Sequence, residues 1–146
     1  TYRGDIRMIY LDLETTGFNP ETEEILQIGI LSEDGKVLMN KLLKPKRKKS
    51  WNSAQRVHGI GPKDVENCPS LEDVTQELLE ICKGEEVIIY NAGFDVGFLP
   101  KEVKWVIGKV RCAMLEFAEL YGQWDDYRNS YRWQKLNFAA SHVGHI

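Results

Sequence analysis

A chain of 146 residues, 42% apolar and 28% charged, fits one compact soluble domain with a real core. No apolar run is long enough to cross a bilayer, and the polar start at residues 1–5 carries no signal-peptide pattern. The net charge of −3 does not announce a polyanion binder in bulk. Cys68, Cys82 and Cys112 lie far apart without a CxxC pair, which fits reduced, buried thiols and a cytoplasmic setting.

Residues 6–13 read as a first strand, closed by Asp12 and Glu14. A period of two puts both carboxylates on one face, roughly 6.6 Å apart along the chain. Two acids side by side repel each other and resist desolvation, so something positive is expected between them. A divalent metal is the natural candidate. Thr15-Thr16-Gly17 then makes a small-residue turn that another backbone can approach. Residues 24–32 read as a second strand, Asp34-Gly35 as a hairpin turn and residues 36–43 as the returning strand, giving an antiparallel meander.

Six cations, Lys41, Lys44, Lys46, Arg47, Lys48 and Lys49, fall within nine positions. They are either a solvated basic loop or a phosphate-backbone contact. Residues 45–69 read as irregular, with Gly59, Gly61 and Pro62 as breakers. Trp51, beside Lys48 and Lys49, is the tryptophan to test for stacking on bases, whereas Trp105 and Trp133 are expected to pack.

Ser70-Leu71-Glu72-Asp73 has the form of a capping box, with Leu71, Val74, Leu78 and Ile81 at helical spacing and Gly84 as the stop. Residues 87–90 suit a buried strand. Asn91-Ala92-Gly93 turns into a helical segment with Asp95 in its first turn. If that strand pairs parallel to the first, Asp95 reaches the edge that carries Asp12 and Glu14, and the three acids form an oxygen-rich site for Mg2+ or Mn2+. Taken singly, Asp95 reads as a first-turn helix acid and the other two as a solvent-facing strand end. A short strand within residues 106–112, a helix over 113–121, a polar loop at 125–130 and a helix over 133–143 complete the chain. The order β-β-β-α-β-α-β-α-α predicts one α/β domain with a mixed central sheet.

These residues resemble the DEDDh 3′→5′ exonuclease family. Residues 11–17 (LDLETTG) look like its first motif, residues 91–99 (NAGFDVGFL) like its second, and Val57-His58-Gly59-Ile60 like the element between them. Lys135-Leu136, Ala139-Ala140 and Gly144 resemble the helix before the third motif. The resemblance spans nearly the whole chain and points to the proofreading epsilon subunit and exonuclease X-like enzymes, hence to a ribonuclease H-like fold. It implies two divalent ions, Mg2+ or Mn2+, about 4 Å apart around the scissile phosphate. Asp12 would hold both ions, Glu14 the ion with the attacking water, and Asp95 the ion at the leaving oxygen. It also implies nucleic-acid contacts at Thr15, Thr16, Phe18, His58, Asn91 and Phe94, with Lys46, Arg47, Lys48 and Lys49 as candidate phosphate contacts. The partner would be a single-stranded or frayed 3′ end, the product a nucleoside 5′-monophosphate, and no membrane is involved.

The third motif of the family is a general-base His followed by a fourth metal-binding Asp. No acid follows Asp126, and neither His142 nor His145 is assigned as that base. Residues 1–146 are therefore expected to be one exonuclease domain trimmed before the motif; if Ile146 were the true end, the site would lack a ligand and a proton acceptor. Tyr90 replaces a His common in relatives. A 3′→5′ exonuclease on DNA is the first expectation. An exoribonuclease on the same scaffold, a non-catalytic nucleic-acid-binding module and a plain α/β interaction domain are the alternatives.

Overall fold

The computed structural model describes residues 5–144. Strands β1 (Met8–Thr15), β2 (Ile25–Ser32), β3 (Val37–Leu42), β4 (Glu86–Ile89) and β5 (Lys109–Cys112) form one sheet in the order β3-β2-β1-β4-β5. The first three make the expected antiparallel meander, with Gly35 at φ +85° in its turn. β4 runs parallel to β1, with Ile9 opposite Val87, and β5 runs parallel to β4. The mixed α/β architecture read from the sequence is thus the one observed.

Alternation along β1 sorts its side chains. Ile9, Leu11 and Leu13 are buried, while Tyr10 and Asp12 are exposed and Glu14 is half-buried. The apolar set joins Ile28, Ile30, Met39, Val87 and Ile89 in the main core. Helix α3 (Leu71–Cys82) adds Val74, Leu78 and Cys82 to that core, and a helix described below adds Val103. The α3 capping box is formed: the Ser70 hydroxyl accepts from the Asp73 amide, and the Asp73 carboxylate accepts from the Ser70 amide. The cysteines are free, but only Cys82 is buried; Cys68 and Cys112 are half-buried. No helix among the described residues is long and apolar enough to cross a membrane.

Several sequence expectations are corrected. β1 continues to Thr15, because Glu14 and Thr15 still pair with Gln27 and Ile25 of β2. The stretch read as irregular holds α1 (Asn52–His58) and α2 (Pro62–Val65). α1 buries no residue, so it has no apolar periodicity to betray it. The segment 91–99 folds as α4 (Ala92–Asp95) followed by a 3-10 turn over Val96–Phe98. Helix α5 (Lys101–Val106), not read from the sequence, precedes β5, which is the short strand expected within residues 106–112. After α6 (Ala113–Tyr121), the expected loop is a hairpin of β6 (Trp124–Asp125) and β7 (Ser130–Tyr131). The last helix, α7, spans Leu136–His142 rather than starting at Trp133. His145 lies outside the described residues.

Candidate active site

The carboxyl ends of β1 and β4 carry the acids. β1 presents Asp12 and Glu14 on the face opposite the core. Because β4 is parallel and adjacent, the chain leaving it turns at this same edge. Asn91 makes the turn with φ 66°, a left-handed conformation that Asn tolerates better than most residues. α4 follows and buries Asp95 to 4% exposure. Asp12 pairs with Gly29 across the sheet, so no neighbouring side chain crowds it from β2.

The three carboxyls share one electrostatic environment. Burial pushes Asp95 up from 3.8 to about 7; the charge of Asp12 adds to this, the Leu13 amide pulls back, and Glu14 adds a smaller push. Asp12 is raised mainly by desolvation. Glu14 is raised by desolvation and then by Asp12, with His58 opposing. Asp95 Oδ2 is buried without a hydrogen-bond partner, a costly condition for a carboxylate. Among the described residues no three His, Cys, Asp or Glu side chains close into a tight cluster, so the acids meet at one edge without forming a finished cage. An all-oxygen donor set with a buried orphan atom nevertheless fits a hard divalent cation.

Beside Glu14 opens a cavity of about 270 Å³, lined by residues of the 13–18 turn together with Ser53, Ala54, Val57, His58 and Phe94. The turn is held from within. Thr15 donates to Gly17 O at 2.6 Å and Thr16 to Glu23 Oε1 at 3.0 Å, while the Glu24 amide donates back to Thr16 Oγ1. Both threonines are buried, so their hydroxyls shape the turn. Phe18 is exposed and meets Phe94 edge to face at 6.1 Å. His58 Nδ1 accepts from the Ile60 amide at 3.1 Å, which leaves the proton on Nε2 to donate to Thr15 O at 2.9 Å. That bond ties α1 to the end of β1. Asn91 is exposed at the entrance to α4.

The basic run lies elsewhere. The Glu24 carboxylate accepts from the amides of Lys46 (2.8 Å), Arg47 (3.0 Å) and Lys48 (2.8 Å). Lys46 and Lys48 also pair with Glu72 and Glu23, both at 3.2 Å. Lys46 and Arg47 line a separate cleft with Pro20, Glu23, Glu24 and Glu72. Lys49 is exposed. Local acids far apart in sequence thus engage much of this loop, which composition alone does not reveal. The tryptophans reverse their expected roles. Trp51 is buried with Leu26 and Val65 and donates to Ile60 O at 2.7 Å. Trp105 and Trp133 are 80% and 60% exposed. His142 sits in a cage of Phe117, Tyr121 and Phe138 rings at the end of α7. Tyr90 donates to Gln134 O at 2.5 Å, a contact that sequence spacing does not signal.

The exonuclease family model matches residues 9–142. The PolC-type DNA polymerase III of Thermotoga maritima is 35% identical over 108 residues, which are 72% of this chain and 8% of that protein. The DNA polymerase III epsilon subunit of Buchnera aphidicola is 32% identical over 114 residues, 72% of this chain and 48% of that one. The chain therefore spans less than half the length of either relative. Exonuclease X in complex with 5′ overhanging duplex DNA has a similar structure, with a TM-score of 0.67 and 25% identity over 93% of this chain and 72% of that one. With a match running from the first strand to the last helix, the chain belongs to the DEDDh-type 3′→5′ exonuclease family.

Proposed function

We propose that this domain hydrolyses DNA one nucleotide at a time from a 3′ end, with Mg2+ or Mn2+ held by Asp12, Glu14 and Asp95. The buried, unpartnered Asp95 oxygen beside two further carboxylates carries the reading. Bound divalent ions would supply Lewis-acid stabilisation of the phosphate and a water of lowered pKa. The chain's own residues do the positioning. The parallel β1–β4 pair brings the acids of two elements to one edge. The cavity floored by Thr15 and walled by Phe18, Val57, His58 and Phe94 takes the terminal nucleotide, with Phe18 and Phe94 offering ring faces to its base. His58, through its bonds to Thr15 O and the Ile60 amide, ties α1 to the end of β1 beside Glu14. Lys49 and Arg47 remain candidates for phosphate contact, and Asn91 for contact at the α4 entrance.

DNA is favoured over RNA because the relatives are DNA polymerase III proteins and the related exonuclease X structure holds duplex DNA. A single-stranded or frayed end suits a narrow terminal pocket. The test gives the full-length gene product DNA and RNA strands of one sequence, labelled at the 3′ end, with Mn2+ added. Release of labelled deoxynucleoside 5′-monophosphate from the DNA is expected. Binding of the strand without release would refute the reading.

A further inference from the structure

Residues 124–133 read WDDYRNSYRW. All four rings face water: Trp124 is 49% exposed, Tyr127 98%, Tyr131 38% and Trp133 60%. A solvated turn ordinarily uses small polar residues, and rings so placed leave apolar area uncovered. We infer that the β6–β7 arm is a second nucleic-acid contact, on which bases of the single strand stack away from the end held at the acids. The inference rests on the exonuclease reading for the class of its ligand.

The backbone of the arm is fixed, and two of its rings rest on each other. Trp124 pairs with Tyr131 across the hairpin, and their rings meet edge to face at 5.1 Å. At the tip, Asp125 Oδ1 accepts from the amides of Tyr127 (3.0 Å) and Arg128 (3.2 Å). Asn129 closes the turn with φ 52°. Arg132 pairs with the other Asp125 oxygen at 3.5 Å. Of the arm's two acids, Asp125 serves its architecture and Asp126 is exposed beside the tip, while Arg128 and Lys135 make no ion pair among the described residues. Arg128 and Lys135 together outweigh the exposed Asp126, and rings beside a surplus of positive charge suit a polyanion that carries π-faces better than they suit an apolar protein anchor.

The arm is also joined to the acidic edge. Its foot is fixed by Gln134, whose carbonyl accepts from Tyr90 and whose amide donates to Gln123 Oε1 at 3.1 Å. Tyr90 immediately precedes Asn91 and the helix bearing Asp95. A cleft of about 520 Å³ over the face of β1–β3 has Asp12, Tyr90 and Leu136 among its lining residues.

The test measures binding of a fluorescent oligothymidylate, and of an abasic strand of equal length, to the full chain in EDTA. The abasic strand keeps the phosphates and lacks the rings. Tyr127→Ala, at a position too exposed to support the fold, is expected to weaken oligothymidylate binding about fivefold and to leave abasic binding unchanged. Arg128→Ala is expected to lower the salt slope of both strands by about one. Equal oligothymidylate affinity for the wild-type protein and Tyr127→Ala would overturn the inference, and would return the arm to a protein contact or a solvated hairpin. Mononucleotide release with Mn2+ is scored separately. Release with an indifferent Tyr127→Ala sinks only the arm, and no release from the full-length gene product sinks the exonuclease reading whatever the arm does.

Discussion

Replacing Asp95 by Asn tests the site through stability as well as activity. A carboxyl with a higher pKa in the folded chain than in the unfolded one favours folding while it is protonated. Its contribution is complete below about pH 4, declines as the pH rises, and is lost above about pH 7. The interval from 3.8 to about 7 corresponds to about 4 kcal/mol. Asn stays neutral at every pH and fills nearly the same space. In EDTA at pH 8, Asp95→Asn is therefore expected to melt up to about 10 °C above the wild type, and near pH 4 the two should coincide. Mn2+ should narrow the difference. At a hundred times its dissociation constant, the metal would stabilise the wild type by about 2.7 kcal/mol and Asp95→Asn far less. Release of mononucleotide should be lost in the variant. Differential scanning fluorimetry across pH, with and without Mn2+, checks all of this. A variant that melts at or below the wild type at pH 8 in EDTA would refute the argument that Asp95 is a strained, uncompensated acid.

Glu24 is expected to anchor the basic loop. Desolvation pushes its carboxyl up, but the amides of Lys48, Lys46 and Arg47 outweigh this and hold it below the usual range, so the stability it supplies is present at neutral pH and disappears as acid protonates it. Glu24→Ala should cost about 2 kcal/mol in urea unfolding at pH 7 and less at pH 3. Leu78→Ala, at a fully buried α3 position, should cost about 3 kcal/mol in the same assay without altering the affinity for a DNA strand measured in EDTA. Trp51→Phe should lose about 1 kcal/mol with its bond to Ile60 and leave oligonucleotide affinity unchanged; a clear loss of affinity would restore Trp51 as a stacking residue.

What the sequence by itself determined was local. The alternation of Ile9, Leu11 and Leu13 with Asp12 and Glu14 assigned the faces of β1, because side-chain direction in a strand follows from backbone geometry alone. The Ser70–Asp73 box and the Asp34-Gly35 turn were equally readable, since each is satisfied by atoms a few residues apart. Helix α1 was not, because it buries nothing and leaves no periodic trace. Only the tertiary structure decided that β4 lies parallel against β1, which turns three scattered acids into one electrostatic group. It also assigned each aromatic residue to core or solvent: Trp51 is enclosed by Leu26 and Val65, whereas Trp124 and Trp133 have no such cover among the described residues. The same holds for the basic run, whose backbone amides meet Glu24 and whose lysine side chains meet Glu23 and Glu72 through contacts that span more than twenty positions. Burial and charge pairing depend on which distant segments become neighbours, and that is a property of the packed chain rather than of any window along it.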